Sequence, residues 1–286
     1  MEPRVFTMRR HKMTSKHDEQ IVAKIIEQIE QNKVLPWQCG YLKEGLPRNF
    51  VTGRGYHGRN LLMLFCANYN RSGFMTYAQA KKLGGQVRKG EHGFPIVYAE
   101  SGRYIENEEG KKEWKHGCAK LYHVFNVAQI DGLPETQQVD GENPDIEKFI
   151  AALPVKWNKG QCPSFCPTTD TIQTPLRGDY EEESVYYSTL FHELVHWSGA
   201  ESRLNREMST DFGDDVYSRE ELVAELGAAI MCGRFGIDCT STMNKSTSYL
   251  DNWLKVIKED AKILIDSAKK AEEAVEYLLK LGGCAE

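Results

Sequence analysis

No run of eighteen apolar residues occurs anywhere in this chain of 286 residues, which excludes a membrane-spanning helix of ordinary length. The first twenty residues, MEPRVFTMRRHKMTSKHDEQ, are charged and lack the apolar core of a secretory leader, so the expectation is a cytoplasmic protein with no membrane partner. Internal repeats and low-complexity blocks are absent as well. Cysteine occurs eight times, at 39, 66, 118, 162, 166, 232, 239 and 284, but the spread and the missing leader argue for reduced thiols rather than a disulfide scaffold. Cys162 and Cys166, in CPSFC, could bind a metal or pair oxidatively, yet no partner ligands accompany them and they are read as ordinary thiols. What is present, 41% hydrophobic and 27% charged residues, suffices for one large or two ordinary globular cores.

The charge is divided unequally. Residues 1–134 carry 21 Lys and Arg against 13 Asp and Glu, net +8, whereas residues 135–286 carry 15 against 28, net −13. A basic half beside an acidic one points the first toward a polyanion.

Behind a basic tail over 1–16, DEQIVAKIIEQIEQNK spaces Ile21, Ile25, Ile26 and Ile29 at helical intervals, and Pro36 and Trp37 end that helix. GLPRNFVTGRGYHGRNLLMLFCANYN predicts a Gly-rich loop running into a buried helix that begins near Asn60. A short helix over 76–83, turns at Gly84, Gly85 and Gly90, a strand over 94–98, a hairpin tip over 101–117 and a returning strand in AKLYHVFNVAQIDGLP complete an α+β unit over 17–134. ETQQVDGENPD, 135–145, is polar with Gly and Pro and reads as a linker. Residues 146–286 read as mostly helical, with an edge strand in TDTIQTPL and one amphipathic helical segment from about Tyr249 to Leu281, closed by Gly282 and Gly283. The expected fold class is α+β in two domains.

Chemistry is concentrated in YYSTLFHELVHWSGAESRLNR, 186–206. On a helix His192 and His196 share one face, where two imidazoles can hold one zinc while Glu193 leans toward its water, the arrangement of the zincin metallopeptidases. The pentapeptide arises by chance in roughly one chain of this length in fifty to a hundred, so its surroundings must carry part of the argument. They do: Tyr187, Leu190, Phe191, Leu194, Val195 and Trp197 surround it, and neither Pro nor Gly interrupts 184–198. A catalytic zinc takes three protein ligands and leaves a fourth position to water. Gly199 fits the longer pattern whose last His is the third ligand, but position 202 is Ser202. The remaining source is YSREELVAELGAAIMCGRFG, in which Glu221 is favoured as ligand and Glu225, one turn on, as the carboxylate that orients a ligating histidine. The reverse assignment stays open, as does an S-x-x-E capping box from Ser218 and Glu221. Tyr186, Tyr187 and Tyr217 are candidates for stabilising an oxyanion.

In the basic half, cations alternate with flat side chains, as single-stranded nucleic acid requires for phosphates and bases. Arg48, Arg54, Arg59, Lys81, Lys82, Arg88 and Lys89 are interleaved with Trp37, Tyr41, Phe50, Tyr56 and Tyr77, and Gly53, Gly55 and Gly58 would let backbone N–H groups reach a phosphate near Asn60. Core aromatics and a solvated cationic face are the competing reading.

LPWQ at 35–38, GLPRNFVTGRGYHGRN at 45–60, MTYAQAKKLGGQVRKGEHG at 75–93, YHVFNVAQIDGLP at 122–134, YYSTLFHELVHWSG at 186–199 and YSREELVAELGAAIMC at 217–232 together resemble the ArdC antirestriction proteins of conjugative plasmids and related mobile elements. The resemblance spans nearly the whole chain, in order. It implies an N-terminal single-stranded-DNA-binding domain joined to a C-terminal zincin-like metallopeptidase domain, and protection of incoming DNA from host restriction. It implies zinc, manganese or another divalent ion at His192, His196 and Glu221, and partners in single-stranded DNA and host restriction components.

Overall fold

The computed structural model describes residues 16–32, 35–38, 44–99, 103–106, 112–115, 119–134, 144–208, 215–238 and 247–284. Most of the basic tail, Tyr41 and most of the expected linker lie outside them.

In the first half, α1 (Lys16–Asn32) buries Ile21, Ile25 and Ile29 along its predicted stripe, with Val22 added. A tight turn at Pro36–Gln38 follows. The elements β1 (Arg48–Asn49), α2 (Gly58–Phe65), β2 (Gly73–Thr76), α3 (Tyr77–Lys82), β3 (Gln86–Val87) and β4 (Phe94–Ala99) come next, then β5 (Arg103–Glu106), β6 (Lys112–Lys115), β7 (Ala119–Asn126) and β8 (Ile130–Asp131). The main sheet runs β1-β2-β7-β4, with β1 parallel to β2 and the other pairs antiparallel. A capping box between Thr76 and Gln79 starts α3, and β5 pairs with β6 as the expected hairpin. Gly84 and Gly90 take φ of +83° and +90°, left-handed values that a side chain would disfavour.

The second half contains α4 (Ile146–Ala152), β9 (Lys156–Lys159), β10 (Ser164–Cys166), β11 (Thr171–Thr174), α5 (Glu183–Ser198), α6 (Asp215–Phe235), α7 (Thr247–Glu259) and α8 (Ala261–Leu281). Two expectations are corrected here. The strand in TDTIQTPL is the middle of a three-stranded sheet, β10-β11-β9, because Pro175 falls just beyond its paired residues and both flanks of Thr171–Thr174 stay open to hydrogen bonding. The single long C-terminal helix is two: Asp260 adopts an extended backbone between α7 and α8, and its side chain accepts from Lys262 N at 2.9 Å as an N-cap.

The core does not respect the division of the sequence. Ile25, Ile29, Leu62 and Phe65 from the first half lie in one buried cluster with Phe191, Leu194, Met231 and Leu278 from the second. The main sheet carries smaller clusters, Met75 with Ala80 and Val127 beneath α3, and Leu64 with Phe74 and Val124 beneath α2. So α1 and α2 belong to the packing of the helical half, and the main sheet is laid against α2. The described cysteines, 66, 162, 166, 232 and 284, are all free thiols, and no described helix is long and apolar enough to cross a membrane.

Candidate metal centre and nucleic-acid face

α5 is apolar on nearly every side, burying Tyr187, Leu190, Phe191, Leu194, Val195 and Trp197, and α6 crosses it closely. The closeness depends on Gly227: a Cβ there would stand 2.6 Å from Val195 Cγ2, so only glycine lets the two backbones approach this far. Six residues earlier on α6, Glu221 thereby comes over the two histidines. The Nε2 atoms of His192 and His196 are 3.1 Å apart, and each faces Glu221, at 3.5 Å to Oε2 and 3.4 Å to Oε1.

The opposite sides of the rings are also occupied. His192 Nδ1 is 3.8 Å from Glu225 Oε1, and His196 Nδ1 is 3.2 Å from Glu220 Oε1. Glu221, not Glu225, thus faces both Nε2 atoms, while Glu225 stands behind one ring. Ser218 lies inside α6 rather than at its start, so the capping box with Glu221 does not form. Burial would depress the His196 imidazole, but hydrogen bonds to Glu220 and Glu221 prevail and raise it to about 10. Glu221 feels the converse: burial pushes its carboxyl up, and the two imidazoles hold it far below the usual range. Two imidazole nitrogens and a carboxylate oxygen within 4.8 Å of one another, each ring backed by a carboxylate, suit a divalent ion such as zinc or manganese.

Glu193 is buried next to His192. Burial raises the phenol of Tyr180, and the Glu193 charge pushes it the same way; its hydroxyl lies 3.3 Å from Thr174 Oγ1. The sequence reading did not weigh Tyr180. Of the three tyrosines it did weigh, Tyr187 is buried and donates its hydroxyl to Glu147, Tyr186 is half-buried with its ring edge-on to Tyr180 at 5.4 Å, and Tyr217 is half-buried in the first turn of α6. Glu220 was missed too, although its adjacency to Glu221 in the sequence could have suggested it.

The residues proposed for nucleic acid separate into two groups. Trp37 is 0% exposed and packed in the shared core, so its stacking role is withdrawn; its position after a helix end concealed how deeply the chain re-enters the core there. Asn60 uses its whole amide on strand β4, donating to Val97 O and accepting from Val97 N. The start of α2 that the glycines were to open to a phosphate is filled instead by a carboxylate: Gly58 N donates to Glu272 Oε1 of α8 at 2.6 Å. Arg59 pairs with Asp18 at 2.8 Å, and Arg88 with Glu91 and Asp131. Tyr56 and Arg48 are half-buried, the former edge-on to Phe74. Arg54, Lys81, Lys82 and Lys89 are exposed, as is Tyr77. Two exposed rings escaped the sequence reading, Tyr98 on β4 and Tyr122 on β7, 57% and 42% exposed with centroids 6.3 Å apart. Their strand register places them on one face with Lys120, which is opposite Tyr98.

Comparison with known proteins accounts for both halves. Residues 15–125 match the model of the N-terminal domain of anti-restriction factor ArdC, and residues 144–270 match that of a zincin-like metallopeptidase. The chain is similar over 95% of its length to the metal-free crystal structure of the antirestriction protein ArdC from plasmid R388, covering 100% of that chain with a TM-score of 0.75 and 30% identity. The Mn(II)-bound structure of that protein matches with a TM-score of 0.73 and 32% identity, over 94% of this chain and 98% of the other. Among curated relatives, a DNA primase TraC of Escherichia coli is 30% identical over 91% of this chain, and the protein y4eC of Sinorhizobium fredii is 29% identical, with 90% of its length covered. The chain spans only 27% of that primase and 20% of a second TraC.

Proposed function

Because the chain belongs to the ArdC antirestriction family, we propose that it shields the incoming DNA of a mobile element from host restriction, binding single strands with its basic half and a divalent metal with the other. The observation that carries the metal reading is the meeting of both Nε2 atoms at Glu221, each ring braced from behind. Zinc is the expected ion for two imidazoles and a carboxylate, with manganese the alternative, as in the Mn(II)-bound relative. When bound, such an ion supplies Lewis acidity. The rest falls to the chain's own residues. For hydrolysis of a peptide, His192, His196 and Glu221 would hold the ion, and Glu193 would take a proton from the attacking water and pass it to the leaving amine.

For DNA, the exposed rings of Tyr77, Tyr98 and Tyr122 supply stacking surface, while Arg54, Lys81, Lys82 and Lys89 attract phosphates. The likeness to a region of DNA primases supports a chain that handles DNA. A second reading, in which DNA is merely coated and the metal domain is structural, is favoured by the shared core, since an ion bound between α5 and α6 would stiffen the core into which α1 and α2 pack. Host restriction components are the candidate protein partners under the first reading.

Glu193→Gln distinguishes the two, because it preserves size and removes the base. Metal content and DNA affinity should be retained. If protection in a plasmid-transfer assay persists in this variant and disappears when Arg54, Lys82 and Lys89 are neutralised together, coating is the mechanism; loss of protection with unchanged DNA affinity establishes hydrolysis. Coating is the expected outcome.

A further inference from the structure

We propose that Arg206 is a positioning residue of the metal centre, acting through Glu220 to hold the His196 ring with its Nδ1 proton donated backward and Nε2 turned toward the ion. The inference rests on the metal reading above. Arg206 is 5% exposed and Glu220 is 8% exposed, so this is a buried ion pair and not a surface contact. Its geometry is two-pronged: Nη2 lies 2.7 Å from Glu220 Oε1 and Nε lies 3.0 Å from Oε2, which fixes the carboxylate plane. The same guanidinium is tied to the end of α5, donating from Nη2 to Val195 O at 2.6 Å and from Nη1 to Ser198 Oγ at 3.0 Å. Glu220 then stands 3.2 Å from His196 Nδ1.

The turn between α5 and Arg206 is shaped for this contact. Arg206 N donates to Gly199 O at 2.8 Å, and Asn205 reverses the chain in the left-handed region at φ +48°. A Cβ on Gly199 would lie 2.6 Å from Arg206 Nη2, so the glycine after the HELVHWS segment leaves room for a guanidinium. That glycine has a reason here although no third histidine follows it. A carboxylate bonded to the far nitrogen of a ligating imidazole selects the tautomer and raises the basicity of the near nitrogen, and its loss typically weakens metal binding 10–100-fold. An unrestrained Glu220 would be free to turn toward other donors; Arg206 removes that freedom.

The alternative is that Arg206 only caps the carbonyls at the end of α5. Affinities of the full chain for Mn2+ and Zn2+, measured by chelator competition, decide between them when read beside melting of the metal-free protein and binding of single-stranded DNA. Arg206→Met should weaken both metals about 10–100-fold with DNA affinity unchanged, and Arg206→Lys should recover part of the loss. The His196 Nδ1 proton, seen by 15N-histidine NMR in the zinc-loaded wild type, should exchange with solvent faster in zinc-loaded Arg206→Met, where its acceptor is no longer held. A folded Arg206→Met with metal affinity within about threefold of wild type overturns the inference, whatever its melting temperature. Should Arg206→Met not fold, Glu220→Gln carries the test: it keeps the shape, and undiminished metal affinity in that variant overturns the inference equally. A wild-type chain that binds neither metal would remove the metal reading itself, a result distinct from both.

Discussion

His192 and His196 present the same atom to Glu221 but are braced differently, one by Glu225 at 3.8 Å and the other by Glu220 at 3.2 Å. Metal content should therefore vanish in His192→Ala and His196→Ala, and Glu221→Ala should lose more affinity than Glu225→Ala, whose loss should stay near the 10–100-fold range of an orienting carboxylate. Metal titration of the four variants checks the ranking, and a worse result for Glu225→Ala would exchange the two roles. Trp37 makes the opposite point about single residues. An aromatic near cations reads as a stacking platform, but its complete burial means that Trp37→Ala should cost stability, about 3–5 kcal/mol in denaturant unfolding. Tyr98→Ala and Tyr122→Ala should leave stability nearly unchanged and lower affinity for single-stranded DNA, by about 1–3 kcal/mol for a ring that stacks on a base.

Between elements, the position of the centre depends on how α5 meets α6 and on what fastens the turn after α5. Gly227→Ala would press a methyl group into Val195 and move Glu221 away from the histidines, so metal affinity and stability should fall together, stability by about 1–3 kcal/mol. The turn is fastened by Arg203, which bonds Trp197 O at 2.5 Å, covers the Trp197 ring at 3.9 Å and pairs through both terminal nitrogens with Asp170, just before β11. Hydrogen bonding from Arg203 holds the Asp170 carboxyl below its usual value. A depressed carboxylate stabilises the fold above its ordinary pKa, and that contribution is lost as pH falls through the depressed one. The Asp170 side chain is 42% exposed, so solvent screening keeps the effect small, no more than about 1 kcal/mol. Melting curves should accordingly show Asp170→Asn slightly less stable than wild type at pH 7, with the gap closing in acid; a gap that widened in acid would contradict the pairing.

At the scale of the molecule, the linker in the sequence and the boundary in the core fall in different places. The apolar faces of α1 and α2 are covered by helices of the second half, and Glu272 of α8 caps the start of α2 across the same junction. The full chain should unfold in one transition, and metal at 100 times its Kd should raise that whole transition by about 2.7 kcal/mol. Residues 1–134 alone should expose Ile25, Ile29 and Leu62 and bind a hydrophobic dye or aggregate. Two separated calorimetric transitions, or a fragment that is monomeric and cooperative, would show the halves to be independent.

Sequence alone determined what lies within one element. The 3.6-residue repeat puts His192 and His196 on one face, the Ile spacing defines the buried side of α1, and the lack of Pro and Gly carries α5 unbroken through the motif, because a helix relates neighbours three and four apart whatever surrounds it. The charge asymmetry was equally plain, being a matter of counting. Tertiary structure decided everything that depends on how one element is turned against another: that Glu221 rather than Glu225 faces both Nε2 atoms, that Glu220 stands behind His196 with Arg206 bonded to it, that Glu272 occupies the helix start offered to a phosphate, and that Trp37 is core while Tyr98 and Tyr122 are surface. No local rule specifies those relations. They follow from the packing of side chains far apart in sequence, such as Val195 against Gly227, where the presence or absence of one methyl group sets the distance between two helices.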